Sequence, residues 1–336
     1  MKRRYIPFLV IAVLAIVYLF GPVMPRPVLN NSLPTVPVSL DSVAWYVNKM
    51  ESSVKTKPDN EARIIWANDS LHQKTEYVLL YLPGFSASYY EGYPVNAAFA
   101  KRYGCNAYFA RLAGHGLITN EPLLDMTPDN LYESAKEALV IASRLGKKVI
   151  IMSTSTGGTL SLMLDASFPQ MIDALVLYSP NIKIRQKSAG FILSKPWGLQ
   201  VARLVYGGKY RITDDDPNSK IGQYWYTRYR AEATVYLQQL LDAGMKKSVF
   251  EKVKCPVFLG YYYKDEEHQD PTVDVAAELK MFSEIGTPST EKVKKAFPDA
   301  GVHTIACELT SGAVPQVEQA TWQFADDVLH MTPANP

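Results

Sequence analysis

The sequence of 336 residues predicts an α/β fold: a mostly parallel sheet covered by helices on both faces, interrupted once by a helical cap. Three observations predict it. Apolar runs of strand length, such as residues 77–82 and 148–152, alternate with longer segments of helical period. That alternation lapses over residues 181–253 and then resumes. A serine stands at one strand-to-helix junction, in Ser153-Thr154-Ser155-Thr156-Gly157. The composition, 47% apolar and 20% charged, is that of a globular chain with a substantial core. The formal charge of +2 comes from scattered Lys and Arg without a basic stripe, which argues against a nucleic-acid partner.

Residues 1–24 read as an N-terminal membrane anchor or signal segment. Lys2, Arg3 and Arg4 precede an apolar run over residues 5–20, and Gly21-Pro22 closes it. No small-x-small cleavage site follows, and no cysteine stands there to accept a lipid, so an anchor is favoured. Basic residues ahead of the run place the rest of the chain outside the cytoplasm, periplasmic in a bacterium. Residues 25–74 form a linker and N-terminal extension, Pro- and Asn-rich over 30–37, with a short amphipathic helix over 40–50.

The core occupies residues 75–180 and 254–332. Its first strand, 77–82, ends in Pro83-Gly84, and a helix over 93–103 leads to a strand over 106–112. Thr127 before Pro128 starts a helix that runs to 145 and stops at Gly146. Strand 148–152, helix 157–168 with its Pro169 stop, and strand 174–178 follow. Residues 181–253, rich in Tyr, Arg and Lys, form the cap, an insertion long enough to cover a site. The core resumes with a strand over 256–263, a helix over 273–285, a short strand over 294–297 and a last helix over 314–330.

Ser155 fits the geometry of a nucleophile. A serine on so sharp a turn has its Oγ raised above the sheet, and the turn needs small residues two before and two after it. Ser153 and Gly157 occupy those positions; a bland helix cap is the alternative reading. The hydroxyl needs a base. Of five histidines, His303 alone lies in a loop between the last short strand and the terminal helix, which fits the chain order Ser, acid, His. The acid that orients it is expected at the carboxyl end of strand 256–263. Asp265 is preferred there for position, with Asp270 next. Backbone N–H groups of Thr156 and Phe85 are the expected oxyanion donors, Gly84 permitting the turn before Phe85. Cys105, Cys255 and Cys307 show no metal spacing and read as core thiols; no metal or cofactor is implied.

Taken together, Leu82-Pro-Gly-Phe85, Arg111-Leu-Ala-Gly-His-Gly116, Ser153-x-Ser155-x-Gly157, Asp265 and His303 resemble the α/β-hydrolase superfamily. The segment 111–116 is similar to that of its monoacylglycerol lipase, lysophospholipase and serine aminopeptidase-like branch. The resemblance implies an eight-stranded sheet, a cap after the sixth strand, hydrolysis of acyl esters or amides, and a structural role for His115. The sequence departs from that pattern at Ser153, where the first elbow glycine stands, and at Pro83, where the oxyanion loop carries histidine. The expected activity is carboxylic-ester hydrolysis, of the carboxylesterase or lipase-like kind, on a small-molecule or lipid acyl substrate. A peptidase or acyltransferase with the same triad, or a binding protein on a hydrolase frame, are the alternatives.

Overall fold

The fold follows from where apolar runs find cover on two faces. The computed structural model describes residues 6–334, in which α1 (Ile6–Leu19) and α2 (Leu40–Ser52) precede the sheet. The first half of the core comprises β1 (Arg63–Ile65), β2 (Thr75–Leu82), α3 (Val95–Arg102), β3 (Asn106–Phe109), α4 (Pro128–Leu145), β4 (Gly146–Thr154), α5 (Thr156–Ser167) and β5 (Ala174–Tyr178). The cap carries α6 (Lys187–Leu193), α7 (Gly198–Val205), β6 (Tyr210–Ile212), α8 (Lys220–Tyr224), β7 (Arg228–Arg230), α9 (Glu232–Gly244) and α10 (Lys247–Phe250). The second half is β8 (Val257–Tyr261), α11 (Val275–Glu284), β9 (Lys292–Ala296) and α12 (Val314–Asp327).

The strand order is β1-β3-β2-β4-β5-β8-β9, parallel throughout except for β1 against β3. Side chains of β2 and β4 alternate between two cores, as a pleated strand covered on both sides requires. Leu80, Leu82, Val149 and Ile151 face α4 and α5, whereas Leu79, Tyr81, Ile150 and Met152 face α3 and α12. Thr127 caps α4 as its sequence indicates, its Oγ1 accepting from Asn130 N at 3.1 Å.

Three expectations are corrected here. The sheet has seven strands, not eight, so the cap follows the fifth strand of this sheet and not the sixth. The chain ahead of β1 is committed elsewhere: Lys57 Nζ donates to Gly222 O (2.6 Å) and Trp225 O (2.8 Å), and Asn60 Nδ2 to Gln223 O (3.1 Å). Those bonds clamp the N-terminal extension to the cap. The cap itself is not wholly helical, because β6 and β7 pair antiparallel with Arg211 opposite Tyr229. Nor is the Pro-rich stretch a free linker. Asp129 Oδ1 accepts from Val28 N and Leu29 N at 2.8 Å, and the fully buried Lys136 donates to Asn30 O and Ser32 O.

Lys2, Arg3 and Arg4 lie outside the described residues. The apolar run after them forms the 14-residue α1, about 21 Å long at 1.5 Å per residue. Among the described residues no helix is long and apolar enough to cross a membrane. The carboxyl end of α1 meets the cap, where Trp197 Nε1 donates to Val17 O at 3.0 Å. All three cysteine thiols are free, Cys105 and Cys307 buried.

Candidate active site

The turn between β4 and α5 puts Ser155 at φ 53° and ψ −117°, a backbone conformation that L-residues other than glycine adopt only under strain. Backbone hydrogen bonds hold it. Ser155 N donates to Tyr178 O (3.0 Å), while Ser155 O accepts from Gly158 N and Asn181 N (2.9 Å each) and from Thr159 N (3.3 Å). The requirement for glycine two residues on is steric: a Cβ at Gly157 would lie 2.0 Å from Leu82 O. Ser153 is tolerated at the other elbow position because its Oγ, fully buried, accepts from Ser161 Oγ at 3.0 Å.

The loop after β2 approaches equally closely. A Cβ at Gly84 would meet Ser155 Cβ at 2.9 Å and both Glu91 carboxylate oxygens at 2.8 Å. Gly84 N donates to Glu91 Oε2 (2.5 Å), and Ser86 N donates to His115 Nε2 (3.1 Å). Between them, Phe85 N donates to no acceptor among the described residues, and neither does Thr156 N at the start of α5. Two N–H groups beside the strained serine are thus left free, the arrangement an oxyanion requires.

His115 packs behind this loop. Its Nδ1 faces Ala113 O at 2.9 Å, so the ring donates there and accepts at Nε2. Burial pushes its pKa down to about 4, which leaves the ring neutral. It braces the loop.

His303 Nδ1 lies 2.7 Å from Asp270 Oδ2, and Nε2 is buried without a partner among the described residues. Burial alone would lower the His303 pKa. The Asp270 charge and hydrogen bond, with Glu91 adding to them, outweigh burial and hold it above its ordinary value. Asp270 is fully buried, and burial alone would raise its carboxyl pKa; the His303 charge and bond, with Oδ1 accepting from Thr272 N (2.8 Å) and Val273 N (3.0 Å), bring it below the usual range.

The acid beside His303 is therefore Asp270, not Asp265. After β8 the chain turns outward, with Tyr263 bridged to Gln269, and returns where Asp270 N donates to Tyr262 O at 3.1 Å. The excursion brings Asp270 back to the carboxyl end of the strand. Asp265 stays in the exposed turn, its Oδ1 2.8 Å from His268 Nδ1. Sequence reasoning missed Glu91 altogether. It is 2% exposed, and burial, eased by the Gly84 bond, lifts its pKa to about 7. Tyr-Tyr-Glu-Gly-Tyr carries no local signal of such burial.

Ser155 and Phe85 open into a pocket of 630 Å³ between the core and the cap, walled by aliphatic side chains of α6, α7 and α9. A larger cavity of 970 Å³, between α6, α9 and α11, touches neither Ser155 nor His303. Among the described residues no group of His, Cys, Asp and Glu could hold a metal ion.

A profile of the alpha/beta hydrolase family matches residues 79–308, more than half of the chain. No curated protein matches. Similar solved structures include one described with LipS and LipT, two metagenome-derived lipolytic enzymes. That chain shows a TM-score of 0.62 at 14% identity, with 80% of this chain and 98% of that one covered. A monoacylglycerol lipase of Paleococcus ferrophilus gives 0.51 at 12%, covering 77% and 98%. Est1E of Butyrivibrio proteoclasticus, with ferulic acid bound, gives 0.51 at 14%, covering 80% and 95%. At such identities the likeness is one of fold.

Proposed function

The chain belongs to the alpha/beta hydrolase family, and from that premise we propose that it is a serine hydrolase cleaving carboxylic esters through an acyl-enzyme on Ser155. The observations that carry this reading are a strained serine opening into the pocket with two free N–H groups beside it, and a buried His303 ring, anchored by Asp270 and close to Glu91 under the Gly84 loop, whose Nε2 is unpartnered among the described residues. Ser155 Oγ attacks the ester carbonyl while His303 Nε2 takes its proton. The oxyanion forms against Phe85 N–H and Thr156 N–H, each donor contributing on the order of 10²–10³ in rate. The imidazolium, stabilised by Asp270, then protonates the departing alcohol. Water attacks the acyl-serine with His303 again as base, and the proton returns to Ser155 as the acid leaves.

Aliphatic walls of the pocket favour an ester of an apolar chain over an aminoacyl amide, whose free ammonium needs a carboxylate. The lipolytic enzymes and the monoacylglycerol lipase among similar structures agree with that choice. We also propose that residues 1–20 attach the protein to a membrane with its body outside the cytoplasm. Support comes from Lys2, Arg3 and Arg4 ahead of the run, and from side chains of α1 such as Leu9, Ile11, Leu14 and Leu19, all exposed.

A fluorophosphonate probe tests the mechanism. Wild-type protein should be labelled on Ser155, and Ser155→Ala and His303→Ala should not. Labelling that survives Ser155→Ala, or a folded wild type that takes no label, would overturn it.

A further inference from the structure

The cap carries five arginines, and the structure separates them. Arg185 Nη1 donates to Asp270 O at 2.8 Å and is not part of the pocket wall. Arg203 is paired with Glu232 at 2.6 Å. Arg230 is paired with both Glu121 and Glu232. Arg228 lies flat on Tyr210, 3.3 Å from the ring centre, and is not part of the pocket wall. Arg211 lines the pocket and has no carboxylate within ion-pair distance among the described residues.

Its placement is built. The antiparallel register sets Arg211 directly opposite Tyr229, so both side chains leave the β6–β7 ribbon on one face. The guanidinium rests 5.9 Å from the Tyr229 ring centre and 5.7 Å from that of Tyr206. Tyr229 in turn stands edge-on to Phe85 at 5.1 Å. A single aromatic ring thus separates the guanidinium from the loop that faces Ser155. The two rings hold the guanidinium plane without neutralising it. Among the described residues lining this pocket Arg211 is the only charged one; the other polar groups are amides and hydroxyls, and the rest of the wall is largely aliphatic.

We infer that the pocket accepts an ester whose apolar chain ends in a carboxylate, which Arg211 binds. The inference rests on the serine-hydrolase reading and adds a substrate class to it. An unpaired cation in an otherwise neutral pocket attracts an anion across its whole length, and the planar guanidinium offers a carboxylate two parallel N–H bonds. Because Arg211 is exposed, its desolvation on binding costs little, and the expected discrimination is roughly tenfold.

The test uses the full chain and two matched ester pairs. One pair is the p-nitrophenyl monoester of octanedioic acid against p-nitrophenyl octanoate, with the charge on the acyl side. The other is the acetate ester of 8-hydroxyoctanoate against octyl acetate, with the charge on the alcohol side. The expected result is that one charged ester exceeds its neutral partner roughly tenfold in kcat/KM. Arg211→Ala should collapse that ratio through KM, and Arg211→Lys should restore part of it. Neither charged ester being preferred, or a preference that survives Arg211→Ala, overturns the inference. Cleavage of the neutral esters that disappears in Ser155→Ala would leave the serine mechanism standing in that case. Calorimetry of octanedioate against octanoate on Ser155→Ala reads the same preference without turnover, so a failure of catalysis does not hide it.

Discussion

Replacing Asp270 by asparagine separates the geometry from the expectation placed on Asp265. The Asp270 carboxylate is fully buried, and its two oxygens divide their work: Oδ1 takes two backbone N–H bonds and Oδ2 takes His303 Nδ1. In Asp270→Asn the carbonyl can keep the backbone bonds, which turns the amide nitrogen toward His303. Nδ1 must then accept, the ring proton moves to Nε2, and the base can no longer receive the serine proton. The charge that stabilises the imidazolium is lost at the same time. A loss of about 10⁴ in kcat/KM follows, roughly 5.5 kcal/mol of transition-state stabilisation. Asp265→Asn disturbs only an exposed turn and should leave the rate within about twofold. The pH profile carries a second signature. His303 must be neutral to act, so activity rises with pH through its pKa. In the wild type Asp270 holds that pKa above the ordinary value against the opposing effect of burial. Without the charge burial prevails, and the acid limb should move to lower pH. Initial rates on a p-nitrophenyl ester, with urea unfolding to verify the fold, measure all three effects. Equal losses in the two variants, or Asp270→Asn within tenfold of wild type, would refute the reasoning.

Glu91→Gln should change how stability depends on pH. A carboxyl whose pKa rises from 4.5 to about 7 on folding keeps its proton in the folded state across that interval, so stability falls as pH rises through it. Removing the ionisation should favour the variant over wild type by on the order of 3 kcal/mol more at pH 8 than at pH 4, and parallel urea midpoints at the two pH values would contradict this. His115→Ala leaves Ser86 N–H without its acceptor, costing about 1–3 kcal/mol and lowering kcat as the oxyanion loop loosens. Its ring is already neutral above a pKa of about 4, so the pH–rate profile between pH 5 and 9 should keep its shape, and a displaced acid limb would show that His115 takes part in proton transfer.

Much of the core was legible because its strands state their environment locally. A run such as residues 78–82 is apolar on both pleat faces, and only a strand covered on both sides has a use for that. Thr127-Pro128 announced α4 for an equally local reason, a side-chain cap followed by a residue that needs no N–H partner. Strand β1 was not legible: Ile64 and Ile65 lie in a three-residue strand whose pairing with β3 is antiparallel and short. The commitment of residues 25–37 to the body was hidden for a different reason. Proline-rich sequence looks like linker until Asp129 and Lys136, a hundred residues away, supply its hydrogen bonds.

The site divides along the same line. Gly157 could be read because the backbone of β2 comes so close that no side chain fits, and a close approach leaves its mark on the residue itself. Asp270 and Asp265 carry the same side chain five residues apart, and nothing local distinguishes them. The choice is made by one long-range feature, the return of the chain to Tyr262 after the excursion through residues 263–269. That return buries one carboxylate beside an imidazole and leaves the other in water. Steric demands are written into residue type, whereas electrostatic roles are assigned by whichever backbone bond closes the loop. A carboxylate after β8 therefore identifies the loop that supplies the acid, and the fold selects the residue.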